Sequence, residues 1–149
     1  MLQKRRFDEK SLPDGLMKTK EALTKGMIVA RNLESGEYKI TKPTDTAGTN
    51  VYGFVTLRED EAVYKQSYYD EIPANTRAVV YTLVPNAEWA TDQFEGELSS
   101  LNIGDKLFAN TTGKLKKVSS SETALFELIG KQEAMAGYEN AMVIVKVLP

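Results

Sequence analysis

The sequence reads as a mainly β protein, a small β-barrel or β-sandwich preceded by an extended N-terminal arm. Short runs rich in β-branched and aromatic residues, turn residues bounding them at close intervals, and a scarcity of helical periodicity carry this reading. With 149 residues, 42% of them apolar, the chain is long enough for one ordinary domain with its own core.

Residues 1–25, MLQKRRFDEKSLPDGLMKTKEALTK, have no strict period of two and only a loose helical spacing through Leu12, Leu16 and Leu23. Pro13-Asp14-Gly15 marks a turn. These residues are read as the arm, and residues 26–149 as a single β-barrel domain. The arm holds seven Lys or Arg against four acids, and the remainder 12 against 17, so a basic arm precedes an acidic body.

After Gly26 the runs MIVARNL and YKITK flank Glu34-Ser35-Gly36, and VYGFVTL follows a loop of Pro, Thr, Asp and Gly. TRAVVYTLV, DKLFAN, KLKKV, LFELIGKQEAM and AMVIVKVL complete the series. AMVIVKVL is apolar on both faces through Val145, which predicts a central strand. The best helix candidate is NAEWATDQF, residues 86–94, where Trp89 and Phe94 could share a face; an irregular loop is the alternative.

Two stretches resemble one another. Residues 23–40 and 101–118 both open Leu-x-x-Gly, run into an apolar strand, turn through a polar loop ending in Gly36 or Gly113, and leave through a Lys-bearing strand. Gly36 to Gly53 and Gly113 to Gly130 each span 17 positions, and RAVVYTLVP and AMVIVKVLP end the two halves. A pseudo-twofold internal repeat is one reading; chance reuse of hairpin chemistry is the other. On either reading Gly36 and Gly113 end three-residue loops with a G1 bulge. Gly53 and Gly130, inside strands, mark a bend or a close backbone approach. The first half is longer by 13 residues, which fall in residues 58–73.

Composition excludes several chemistries. The chain has no Cys and no His, which removes thiolate nucleophiles, disulfides, Ser-His-Asp triads and nearly all transition-metal sites. No apolar run approaches the roughly 20 residues of a membrane helix, and MLQKRRFDEK is no signal segment, so a soluble chain without membrane contact is expected. Gly113-Lys114 lacks the P-loop pattern, because Phe108 and Leu115 stand where Gly and Ser or Thr belong. Lys114, Lys116 and Lys117 could follow a nucleic-acid backbone, but no aromatic interleaves them, so a nucleic-acid-binding barrel is the second choice. Carboxylates are the remaining acid-base groups; Glu59, Asp60 and Glu61 and Asp70 and Glu71 could form a paired glycosidase-type or hard-cation site, but adjacent acids on a polar loop read as a solvated surface. No catalytic residue, cofactor or metal site is expected, and the sequon at Asn110 has meaning only in a secreted chain.

Two features suit binding. One is the arm, with Lys4, Arg5, Arg6 and Phe7. The other is the insertion, with Tyr64, Tyr68 and Tyr69 beside acids, since tyrosine is enriched at interfaces. The Trp89 segment is a further candidate patch.

LTKGMIVARNLESGEY, VYGFVTL, DEIPANTRAVVYTL, LNIGDKLFANTTGKL, LIGKQEA and the final VIVKVL resemble the head decoration, or cement, proteins of tailed bacteriophages. The resemblance spans roughly residues 23–148 and rests on loose elements, Gly-x-x-apolar openings, IPAN before a strand and GDKL before a hairpin. It implies a structural virion protein, made in the host cytoplasm, that binds the outer surface of the capsid and clamps neighbouring major capsid protein subunits. It also implies a homo-oligomer, often a trimer, and an arm that docks on the capsid.

Overall fold

The computed structural model describes residues 2–6, 13–56, 71–135 and 140–149. The first half holds β1 Leu2–Arg6, β2 Pro13–Asp14, β3 Lys18–Thr19, β4 Leu23–Thr24, β5 Ile28–Glu34, β6 Glu37–Thr41, β7 Gly53–Thr56, β8 Glu71–Ile72 and β9 Val79–Thr82. The second holds β10 Glu88–Thr91, a single 3-10 turn at Leu98–Ser100, β11 Lys106–Ala109, β12 Leu115–Lys117, β13 Phe126–Gln132 and β14 Met142–Val147. The fold is mainly β, as the alternation of β-branched runs and turns dictates.

Strands assemble as two six-stranded sheets, β2-β9-β7-β5-β6-β3 and β1-β10-β14-β13-β11-β12, with β4 and β8 as a separate pair. Without β1 and β3 the two orders are the same, β2-β9-β7-β5-β6 against β10-β14-β13-β11-β12, antiparallel throughout. Even β3 has its counterpart: it runs parallel to β6, as Phe94 does beside Leu115 of β12. Backbone hydrogen bonds repeat as well. Tyr52 N donates to Val29 O at 2.8 Å and Leu125 N to Leu107 O at 3.0 Å; Lys20 N donates to Ile40 O at 2.9 Å and Glu95 N to Leu115 O at 2.8 Å. Gly26 N donates to Val55 O at 2.9 Å and Gly104 N to Leu128 O at 2.8 Å. The internal repeat is therefore present in topology and register.

It begins earlier than the sequence pattern indicates. Residues 13–24, read as arm, supply β2, β3 and β4, each paired into the sheets. Strands of two residues each leave no alternation to detect. Nor do Gly53 and Gly130 correspond. Gly53 sits opposite Thr82, and the place opposite Val147 in the other half belongs to Phe126, with Gly130 lying past a bulge. Both glycines still do what in-strand glycine does: a Cβ on Gly53 would stand 2.1 Å from Tyr81 O, and one on Gly130 would be 3.0 Å from Ile144 Cδ1.

The two hairpins differ. Asn110 N donates to Lys114 O and Gly113 N to Asn110 O, both at 3.0 Å, so Thr111, Thr112 and Gly113 form the expected three-residue loop, with Gly113 at φ 80°. In the first hairpin Glu34 pairs directly with Glu37, leaving only Ser35 (φ 51°) and Gly36 (φ 82°), so this loop has two residues rather than three. Positive φ at both positions is the type I′ pattern, whose twist matches the flanking strands. A Cβ on Gly36 would meet nothing within 4 Å, so its role is purely conformational. Gly36→Ala should cost about 1 kcal/mol in urea unfolding, and Gly36→Val more.

Residues 86–94 give strand β10 rather than a helix. The sheet position between β1 and β14 overrides local propensity, because both Trp89 and Ala90 are buried there at 1% exposure. As expected, β14 is central, between β10 and β13, with Val143, Val145 and Val147 in the core.

The first sheet curls on itself. Thr19 N donates to Thr76 O at 2.9 Å and Asn75 N to Thr19 O at 2.8 Å, so β3 meets the segment leading into β9 and a small barrel results. Val29, Ile40, Val55 and Val80 fill it, covered by Met17, Leu23 and Ile72. The other face of that sheet carries the cross-strand row Ile28, Phe54 and Tyr81. This row packs on the apolar face of the second sheet: Phe54 lies 5.5 Å from Trp89 and 5.6 Å from Phe126, and Tyr81 5.2 Å from Trp89, between ring centroids. The corresponding row of the second sheet is Lys106, Glu127 and Lys146, with Glu88 beyond. It lies on the opposite face from Trp89 and Leu128, so the halves meet head to tail through unlike faces.

Candidate functional site

Among the described residues no group of three or more acids, Cys or His could hold a metal ion. The sequence candidates are placed as follows. Lys4, Arg5 and Arg6 lie in β1, which pairs antiparallel with β10 at the sheet edge; Lys4 stands opposite Trp89 and Arg6 opposite Glu88, with a bulge between. The first residues of the arm are thus tied to the chain's own body. Phe7, Tyr64, Tyr68 and Tyr69, and the acids at positions 59–61 and 70, lie outside the described residues. Trp89, expected as a contact patch, is instead a core residue at 1% exposure, because β10 turns its ring onto Phe54 and Tyr81.

The basic hairpin is not a bare cationic surface. Lys116 Nζ lies 3.7 Å from Glu95 and Lys117 Nζ 2.9 Å from Asp105, and Lys106 donates to Glu127 at 2.6 Å. Asp105 accordingly titrates below the ordinary carboxylate range, first through the Asn102 N–H and then through Lys117. Lysines compensated in this way attract a phosphate backbone weakly.

A different surface stands out. Where β3 parts from β6, a groove of about 430 Å³ opens, lined by Leu16, Lys18, Glu37, Tyr38, Lys39 and Arg77 among others. The β3–β6 ladder covers only Lys18 with Lys39 and Thr19 with Ile40, and the Leu16 N–H turns away to donate to Asp14 Oδ1 at 3.2 Å. Leu16 is 84% exposed, and Tyr38 at 51% stands across the hairpin from Leu33 at 64%. Beside them the Arg31 guanidinium stacks over Tyr38 and Tyr52, 5.0 and 4.5 Å from the ring centroids. Tyr52 donates to Asp14 at 2.6 Å; burial first, then that carboxylate, raises its phenol above the usual value.

Sequence reasoning missed this groove. Its residues come from three segments, near positions 17, 38 and 77, joined by a two-residue parallel strand that no local pattern announces. The available signal was a set of unpaired apolar residues, Leu16 and Leu33, in otherwise polar surroundings.

No family model matches this sequence, and no curated protein does. In structure the chain is similar to the head fiber gp8.5 N base of bacteriophage phi29. The TM-score is 0.55 at 11% identity, with 99% of this chain and 94% of that one covered. The two share a fold along their whole lengths.

Proposed function

We propose that the chain is a structural, non-enzymatic protein of a bacteriophage virion, seated on the outer surface of the capsid, where it bridges neighbouring major capsid subunits. The observation that carries this reading is the likeness in structure to a phage head fiber base, over 99% of this chain and 94% of that one. The sequence supports it by lacking both Cys and His. Bridging by many copies makes individually small contacts effective, since each bound site holds the next at high local concentration. A homotrimer fits this use, as does assembly in the host cytoplasm before attachment.

The test is co-sedimentation with expanded capsids of the encoding phage, using the full chain and a variant lacking residues 1–12, which leaves β2 onward in place. Saturable co-sedimentation of the full chain is expected, with affinity reduced at least about tenfold by the deletion. Capsids that sediment without the full chain reject the reading, and undiminished binding of the shortened chain removes the arm from it. The nucleic-acid alternative is disfavoured by the ion pairs of Lys116 and Lys117.

A further inference from the structure

The groove between β3 and β6 combines three properties that separately mean little. The first is an open strand edge. Because Glu34 and Glu37 close a two-residue hairpin, their backbone groups face each other across the turn, and alternation then points the Tyr38 N–H outward, away from β5. The β3 ladder stops at Lys39, so no described strand takes that N–H.

The second is apolar surface at that edge. Leu16 and Tyr38 line the groove while mostly exposed. Large aliphatic and aromatic side chains flanking an unfinished ladder are what a strand added to a sheet edge covers.

The third is charge. Five described lysines sit in ion pairs: Lys20 with Glu34, Lys42 with Glu21, Lys106 with Glu127, Lys116 with Glu95 and Lys117 with Asp105. Lys18, Lys39 and Arg77 form no ion pair with a described residue, and among the described residues Glu37 is the single acid lining the groove. On a chain of net charge −2, an uncompensated excess of two positive charges is concentrated in one groove. Such an excess repels cationic partners and guides acidic ones.

We infer that this groove is the docking site for an extended acidic segment of a partner protein, which adds as a strand beside β6. Its backbone takes the Tyr38 N–H, its apolar side chains cover Leu16 and Tyr38, and its alternating carboxylates meet Lys18, Lys39 and Arg77. This holds whichever protein supplies the segment, so it stands apart from the capsid reading.

The test uses the full chain and a fluorescein-labelled eight-residue peptide of alternating Glu and Val, followed by fluorescence anisotropy. Saturable binding is expected, weakened by about 0.5 M salt because these charges lie near the surface. The double variant Lys39→Glu, Arg77→Glu should weaken it at least about tenfold, and Lys114→Glu, on the other hairpin, should leave it unchanged. Tyr38→Pro, which removes only an outward-facing N–H from the ladder, should weaken it as well; thermal unfolding of each variant verifies folding. Equal binding by the double variant, or no binding of the peptide, overturns the inference. So does an eight-nucleotide oligothymidylate that binds with the same dependence on Lys39 and Arg77, which makes the groove a nucleic-acid site. Self-association abolished by the same double variant overturns it in favour of a second copy.

Discussion

Trp89→Ala is expected to lower the unfolding free energy by about 3–5 kcal/mol, seen as a drop in the urea midpoint with the slope retained. The ring is almost fully buried and sits where the two halves meet, against Phe54 of the first sheet and Tyr81 beside it. Truncation removes this filling from between two sheets whose backbones are fixed by their ladders, so the site cannot collapse to close the gap. Phe54→Ala should act in the same range, because its ring also touches Phe126. As the two rings share one cavity, the double variant should cost less than the sum of the single ones. A loss below about 1 kcal/mol for Trp89→Ala would return this residue to the surface role that its aromaticity first suggests.

The second large effect is Gly53→Ala, about 3 kcal/mol, at the upper end of the overpacking range. The added methyl would lie 2.1 Å from Tyr81 O and 2.8 Å from Tyr81 C. Both are backbone atoms, so relief requires β7 and β9 to separate. Gly130→Ala supplies the contrast. Its nearest neighbour is the Ile144 Cδ1 tip at 3.0 Å, which can change rotamer, and the cost should stay within about 1 kcal/mol. Equal losses at the two glycines would mean that position in a strand, and not the atom approached, sets the penalty.

These two glycines also show how far the sequence could be read. Their shared 17-residue offset suggested equivalence, and the sheets do repeat, yet the ladders assign Phe126 to the place of Gly53. From Gly36 the chain takes 17 residues to reach Gly53 and from Gly113 it takes 13 to reach Phe126, so Gly130, four residues further along β13, matches the offset by coincidence. What was legible had strong local causes: the doubly apolar β14, the loop at Gly113, the turn-bounded strands. Trp89 was misplaced because burial is decided by strands far away in the chain. The groove was invisible for the same reason, since Lys18, Lys39 and Arg77 acquire a common function only when β3 lies parallel to β6.

The row of Glu88, Lys146, Glu127 and Lys106 has a consequence for size. A contact between unlike faces has no built-in end: the far face of the second unit could accept a third, and so on into a filament. In the first half that face is Ile28, Phe54 and Tyr81, and it is consumed by the contact. In the second half the same positions alternate negative and positive, with Lys106 and Glu127 2.6 Å apart. Seating another apolar face there would strip water from four charges. The four side chains thus serve as a terminator, holding a stackable design at two units and keeping it from polymerising.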